Sequence, residues 1–181
     1  VVPALEQALA AARIPARVES QSLLFDTQEA RDMLAILGAI DDPTDEVAIV
    51  AALRSPAFGC TDADLARFAS ARGRWDYRRP PPDDVDASHP VVHAFSVLYA
   101  LHEQRWWLDP ATLIDTIVRE RRLLYMAFAG RRPRETWRRI RFIQEQARAF
   151  SAAGERSLRQ FIRHATQQAD ENARMDSTLV D

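Results

Sequence analysis

Two histidines, His89 and His93, stand four residues apart, which is the spacing that puts two zinc-binding imidazoles on one face of a helix. No glutamate follows His89, no third ligand lies nearby, and Pro90 indicates that a helix begins at this point. We therefore expect His89 to cap a helix and His93 to be an ordinary surface or core histidine. The sequence predicts no metal site here.

Asp83, Asp84 and Asp86 form the densest group of carboxylates, but they lie in a proline-rich stretch, residues 78–90, that offers no rigid frame for coordination. We expect a solvated loop. The single cysteine, Cys60, has no histidine-rich surroundings, which favours a small packing or turn residue over a nucleophile. One cysteine also rules out an internal disulfide, so we expect a reducing, cytoplasmic location. No set of residues suggests a catalytic triad.

The chain has no lysine, since all 24 basic residues are arginine. A phosphate-binding P-loop needs a lysine to reach the terminal phosphates, so this motif is excluded. The five glycines are scattered, which also excludes a glycine-rich dinucleotide loop. We expect no ATP binding by the usual means, no cofactor and no catalysis in this chain.

The strongest chemical feature is a row of arginines at helical spacing, Arg134, Arg138, Arg141 and Arg148. Guanidinium groups bind phosphate oxygens in pairs, and a row of them is typical of a phosphate-facing surface. Only Glu145 interrupts the row, so we expect little neutralisation, and we expect Trp137 on the opposite, packed side of the helix. The row predicts a DNA-binding surface.

The arginine row belongs to a basic block, residues 119–163, which holds 13 arginines and four glutamates for a net charge of +9. The chain as a whole has a net charge of −2, so the rest of it is acidic. Two interpretations remain open. The block could be a set of solvated helix faces paired with the acidic part, or a surface that faces phosphates.

Adjacent tryptophans, Trp106 and Trp107, could stack on bases in the manner of single-strand binders. Neighbouring helical residues point about 100° apart, so we expect one indole in the core and the other partly exposed.

Apolar residues recur at helical spacing along most of the chain, which predicts an all-α, irregular multi-helix bundle of seven to nine helices. Residues 14–19 are the one short strand expected, near the N-terminus. Asp42-Pro43 and Asp109-Pro110 each predict a capped helix start, and Thr61 with Asp64 resembles a capping box. No apolar run approaches the roughly 18 residues that span a bilayer, so no membrane partner is expected.

Three stretches match, in order, a pattern of known helicases. Residues 4–19 read like "L-x-x-x-L-x-x-x-G-I-P-y", and residues 25–65 contain Arg-Ser-Pro-Ala-Phe-Gly at positions 54–59. Residues 138–162 read like "R-x-x-N-L-x-x-L-x-x-x-A-x-x-f … s-l-x-x-F-i". The chain thus resembles superfamily 1 DNA helicases of the UvrD/RecB type in their C-terminal region, and it is closest in style to the AddA/RecB branch.

The resemblance implies a fragment of the second motor domain (2A) at residues 1–20, a helical 2B subdomain at residues 21–166, and a polar tail, residues 167–181, that leads back to the motor. We expect this tail to fray. The chain ends near where the next motor motif is expected, so truncation would explain the missing lysine motifs. ATP and Mg²⁺ would then belong to the parent motor.

Three departures from the family pattern concern single positions. Thr61 stands where a glycine is usual, Phe142 stands where the family usually has asparagine, and Arg13 replaces the glycine before Ile14. The first puts in doubt a close backbone approach of DNA at Thr61. The third makes the C-cap of the first helix less well formed.

We therefore predict an accessory DNA-binding or regulatory subdomain of an ATP-dependent DNA helicase or helicase–nuclease of DNA repair or recombination. Implied partners are duplex DNA near a single-strand junction, the remaining motor domains and a second helicase–nuclease subunit. The alternative is a protein-docking or autoregulatory module that meets an acidic partner. Candidate DNA-binding residues are the four arginines of the row and three residues of a predicted helix–turn–helix corner, Ser55, Gly59 and Thr61.

Overall fold

A computed structural model describes the backbone of residues 27–178 and the side chains of residues 27–170. Within these residues the chain forms eight helices and no strand. Their bounds are α1 Gln28–Asp41, α2 Glu46–Arg54, α3 Asp62–Ser70, α4 Pro90–Gln104, α5 Pro110–Glu120, α6 Leu123–Ala129, α7 Pro133–Ala152 and α8 Leu158–Thr178. The predicted all-α bundle is confirmed. The predicted strand at residues 14–19 and the motor-domain fragment at residues 1–20 lie outside the described residues.

Most helices begin where the sequence supplies a capping side chain. Oδ1 of Asp109 accepts from the backbone N–H of Thr112 ahead of α5, and Nδ1 of His89 accepts from that of Val91 ahead of α4. Each cap is followed by a proline at the first helical position. The prediction of His89 as a cap is confirmed.

The expected helix start at Asp42-Pro43 is wrong by three residues. The carboxylate of Asp42 accepts from the backbone N–H of Thr44 at 2.9 Å, so this residue closes a turn after α1. Asp45 supplies the cap of α2 instead, accepting from the N–H of Ala48 at 2.9 Å. An Asp-Pro pair suits a turn as well as a helix start, and the spacing alone does not separate the two.

Helix α1 lies at the centre of the fold and packs against α2, α4, α7 and α8. Met33, Ile36, Leu37 and Ile40 are buried along it. Two polar side chains attach the outer segments to its C-terminal end. The hydroxyl of Tyr77 donates to the carbonyl of Ala39 at 2.8 Å, and a ring nitrogen of His102 lies 2.7 Å from the carbonyl oxygen of Ile40.

Residues 71–89 connect α3 to α4 without a helix, which confirms the predicted long loop at residues 78–90. The C-terminal tail differs from expectation, because α8 continues to Thr178 where fraying was predicted from residue 167. A polar sequence is compatible with a helix that continues from a packed first half, here anchored by the buried Phe161 and Ala165. Among the described residues, no helix is both long and apolar enough to cross a membrane.

Candidate nucleic-acid interface

Helix α7 positions the arginine row. Pro133 occupies its first position, and the helix extends from there to Ala152. Ile140, Ile143 and Ala147 are buried and fix the side of the helix that faces the core. Because successive residues lie about 100° apart, the four predicted arginines point away from this apolar side.

Arg134 and Arg138 lie in the first half of α7 and are exposed. Neither makes an ion pair or hydrogen bond with any residue in the part of the chain that the structure describes. Their neighbour Arg139 differs, because its Nη1 lies 3.2 Å from Oε2 of Glu29 and holds α7 on α1. Both guanidinium groups are therefore available to an external anion.

Arg141 lies over the ring of Trp137, with its guanidinium carbon 5.9 Å from the ring centroid. Trp137 is 39% exposed and therefore lies on the arginine side of α7. The predicted position of Trp137 on the packed side is wrong. Trp137 is four residues before Arg141, and this spacing places both on one face of α7. The prediction relied on the apolar character of the indole instead of on this spacing.

Arg148 is also placed differently from expectation, because it is paired. Its Nη2 lies 2.9 Å from Oδ2 of Asp115 on α5, and Nε2 of Gln144 donates to the same carboxylate at 2.6 Å. The prediction that internal ion pairs do not neutralise the row is therefore wrong at Arg148. The partner comes from another helix 33 residues away, so spacing within α7 could not reveal it.

The predicted corner joins α2 to α3, and Ser55 and Gly59 form its turn. The hydroxyl of Ser55 is buried and donates to the carbonyl of Ala52 at 2.6 Å. Gly59 has a φ of +65°, a left-handed conformation that favours glycine, and its N–H donates to the carbonyl of Ser55 at 2.8 Å. Both residues therefore have a sufficient structural role within the turn itself.

Thr61 forms the predicted capping box with Asp64. Its Oγ1 accepts from the N–H of Asp64 at 3.2 Å, and its own N–H donates to the Asp64 carboxylate at 2.9 Å. The hydrogen bonds from Thr61 hold the pKa of Asp64 below its ordinary value, so this carboxylate stays ionised. A second acid, Asp62, begins the helix and pairs with Arg54 at 3.0 Å. Two carboxylates thus occupy the end of α3 where a phosphate was predicted.

The structure does not bring the corner and the arginine row into one site. An apolar pocket of about 290 Å³ separates them, with Ser55 on one wall and Thr136 and Ile140 of α7 on the other. Thr136 and Ile140 lie on the side of α7 opposite to Arg134 and Arg138. The corner and the row therefore face different directions.

The structure also shows the position and burial of the histidine, cysteine and tryptophan residues that were considered as site residues. No group of three or more potential metal ligands exists among the described residues, and His93 is exposed. Cys60 is buried, and burial raises the pKa of its thiol, as expected of a packing residue. Trp106 and Trp107 are both exposed, at 73% and 68%, so the prediction that one is in the core is wrong. Because α4 ends at Gln104, both lie in a turn, where helical geometry does not apply.

Two exposed aromatic residues within the basic block, Tyr125 and Phe128 on α6, were not predicted from the sequence. The run Leu123–Ala129 is apolar throughout, which indicates burial by composition alone. In the structure Ala127 is the one buried residue of this helix, and an apolar run of two turns has no periodicity that marks its exposed side.

Comparison with known proteins gives one consistent result. No protein-family profile matches the chain. It is 28% identical over 171 residues to the AddA component of the ATP-dependent helicase/nuclease of Geobacillus kaustophilus, which covers 89% of this chain and 14% of that protein. It is 30% identical over 159 residues to the AddA protein of Pelotomaculum thermopropionicum, which covers 83% of this chain and 12% of that protein.

A shorter alignment with the AddA protein of Leuconostoc mesenteroides is 40% identical over 73 residues. It covers 40% of this chain and 6% of that protein. The chain therefore spans about one-eighth of the length of the curated relatives that it matches over most of its own length. The resemblance to the C-terminal region of UvrD/RecB-type helicases, in the AddA/RecB branch, is confirmed.

Proposed function

We propose that this chain, as a relative of one segment of the helicase/nuclease protein AddA, is an accessory DNA-binding subdomain of an ATP-dependent helicase–nuclease. It corresponds to the 2B subdomain, handles duplex DNA near a single-strand junction and performs no catalysis of its own. The remaining motor domains supply ATP hydrolysis with Mg²⁺, and a second subunit completes the helicase–nuclease. The parent acts in DNA repair or recombination.

The observation that carries this proposal is the pair of exposed, unpaired guanidinium groups of Arg134 and Arg138 on α7. They lie four residues apart on one side of the helix, about 6 Å along its axis. Arg141 continues this side within the next turn, partly over the ring of Trp137. Three arginines in a line on a rigid helix suit a regular array of phosphates, because guanidinium binds two phosphate oxygens at once.

The charge distribution supports binding of a polyanion. Residues 119–163 carry a net charge of +9, whereas the chain as a whole carries −2. Acidic residues within the described part pair with Arg139 and Arg148 but leave Arg134, Arg138 and Arg141 without an ion pair. A surface of this kind attracts a polyanion over a long range and binds it without sequence preference.

The corner at Ser55, Gly59 and Thr61 is not part of the proposed contact, because two carboxylates already occupy the start of α3. An electropositive helix end that is filled by its own capping carboxylates has little attraction left for phosphate. The proposed DNA surface is therefore confined to the outer side of α7 and its surroundings.

The direct test is the affinity of the 181-residue chain for two blunt hairpin duplexes of different sequence, measured by fluorescence anisotropy between about 50 and 200 mM salt. The proposal predicts weak binding, equal for both sequences, that falls steeply with salt. Docking to an acidic protein partner is the alternative, and it predicts no measurable duplex binding at the lower salt concentration.

A further inference from the structure

A groove of about 370 Å³ runs beside the arginine surface, between the corner that joins α5 to α6 and the near side of α7. Its lining includes Arg119, Arg122, Tyr125 and Gln144. Its volume falls within the range of sites that hold small organic groups. None of these four residues belongs to the contact proposed above.

The near side of α7 extends the groove along the helix. Trp137 precedes Gln144 by seven residues, which places the two side chains within about 20° of each other and about 10 Å apart along the axis. Arg141 and Arg148 lie within about 60° of Gln144 on the same side. Beyond Gln144, this side of α7 therefore carries one exposed indole, Trp137, and two guanidinium groups, those of Arg141 and Arg148.

Tyr125 lines the opposite wall of the groove, and Phe128 lies one turn further along α6. Tyr125 is 76% exposed and Phe128 is 63% exposed, and their spacing of three residues puts them on one side of α6. Leu124, which shares that side, lines the groove together with Tyr125. Large rings scattered singly over a surface are ordinary, but three exposed rings on two helices that contact each other, Tyr125, Phe128 and Trp137, indicate a binding surface.

The groove is electropositive despite the carboxylate on its floor. Asp115 is held by Nη2 of Arg148 at 2.9 Å and by Nε2 of Gln144 at 2.6 Å, so its charge is compensated locally. Arg122 has no ion pair with any described residue. Arg119 has only a long contact, 3.9 Å, to the adjacent Glu120, and both side chains are at least half exposed. An anionic ligand can therefore enter without displacing a salt bridge.

We propose that this groove binds an unpaired strand of nucleic acid, with bases stacked on Tyr125 and Trp137 and phosphates held by Arg119 and Arg122. A positively charged groove with interleaved aromatic rings is the arrangement that binds single strands without sequence preference. A duplex keeps its base faces stacked inside, so exposed rings give it no advantage. This inference rests on the proposed function, because it assigns the unpaired side of the junction to the groove and the duplex to Arg134 and Arg138.

The test uses the full 181-residue chain with two labelled probes, an oligothymidylate of about 12 nucleotides and a blunt hairpin of about 12 base pairs. Three variants are compared with the parent: Tyr125→Leu removes the ring, Tyr125→Phe keeps it, and Trp106→Leu removes an exposed ring outside the groove. Since Tyr125 and Trp106 are mostly exposed, all three variants should keep the melting temperature of the parent.

We expect Tyr125→Leu to weaken oligothymidylate binding by about fivefold or more and to leave hairpin binding within about twofold. Tyr125→Phe and Trp106→Leu should bind both probes as the parent does. Equal losses for both probes, no loss for oligothymidylate, or an equal loss in Tyr125→Phe would each overturn the groove assignment. So would a polyglutamate peptide that binds as tightly as oligothymidylate. Hairpin binding that still depends on Arg134 and Arg138 would leave the proposed function standing after any of these results.

Discussion

The guanidinium of Arg148 and the carboxylate of Asp115 form an ion pair, 2.9 Å from Nη2 to Oδ2, that joins α7 to α5. The pair occupies one of the four arginines whose spacing indicates a phosphate-binding row. Among the described residues, the members of the row without an ion pair are therefore Arg134, Arg138 and Arg141, all in the first half of α7. Within α7, the second half thus carries an arginine that stabilises the fold, and the first half carries arginines that are available to bind DNA.

Replacing Arg148 by alanine should mainly affect stability, whereas replacing Arg138 by alanine should mainly affect duplex binding. Arg148→Ala should lower the free energy of unfolding by about 0.5 kcal/mol, because it breaks a half-exposed ion pair. Arg138→Ala should leave that free energy unchanged and weaken duplex binding more than Arg148→Ala does. Urea denaturation and fluorescence anisotropy measure the two quantities. The assignment of roles would be reversed if Arg148→Ala caused the larger loss of duplex affinity.

The corner between α2 and α3 should prove to be purely structural. Thr61→Ala removes the capping box and should cost about 1 kcal/mol of stability. Gly59→Ala should cost a similar amount, about 1 kcal/mol, because alanine is strained at a φ of +65° although its methyl group would meet no neighbour. Duplex affinity of both variants, measured where each is fully folded, should equal that of the parent. A folded Gly59→Ala protein with weakened duplex binding would return the DNA contact to this turn.

Asp32 should destabilise the fold at neutral pH. Burial raises the pKa of its carboxyl, the nearby charge of Glu29 adds to this, and the hydrogen bond from Gln28 opposes it. A carboxyl whose pKa is raised by folding favours the protonated state, so its ionised form weakens the fold above the ordinary pKa of 3.8.

Asp32→Asn should therefore raise the free energy of unfolding at pH 7, and its advantage over the parent should shrink as the pH falls through the raised pKa towards the ordinary pKa of 3.8 and be nearly absent below it. The measurement is urea denaturation at several pH values. The exposed loop residue Asp84 provides the control, since Asp84→Asn should change stability little at any pH. An Asp32→Asn advantage that is the same at about pH 3.5 and pH 7 would contradict this explanation.

Sequence reasoning succeeded where one local pattern decides the outcome. Apolar stripes at helical spacing identified the helices, and Asp109-Pro110 and Thr61 with Asp64 marked helix starts that the structure confirms. Signature residues such as Arg54-Ser55-Pro56 carried a family resemblance that the comparisons confirm.

Sequence reasoning failed where the outcome depends on residues that are distant in the chain. Asp115 lies 33 residues before Arg148, so its ion pair is invisible from α7 alone. The positions of Trp106 and Trp137 depend on where one helix stops and on which side of another is covered, and both are set by packing. Tyr125 and Phe128 belong to a short apolar helix, for which periodicity does not distinguish the exposed side.

The isolated chain should neither hydrolyse ATP nor unwind DNA. It contains no lysine and no glycine-rich phosphate loop, so it lacks the groups that hold the terminal phosphates of ATP. A steady-state ATPase assay with and without duplex DNA, on protein purified free of host helicases, measures this. DNA-stimulated turnover that copurifies with the chain would refute the view that catalysis resides elsewhere in the parent protein.

The salt dependence of duplex binding tests the central claim most directly. A plot of log affinity against log salt concentration has a slope proportional to the number of phosphate contacts, about 0.9 for each. Replacing both Arg134 and Arg138 by alanine should lower the magnitude of this slope by about two and weaken binding equally for all sequences. The control, Arg67→Ala with Arg74→Ala, removes the same charge from exposed positions away from α7 and should leave the slope unchanged. An unchanged slope in the α7 variant, or an equal drop in the control, would contradict DNA binding by the outer side of α7.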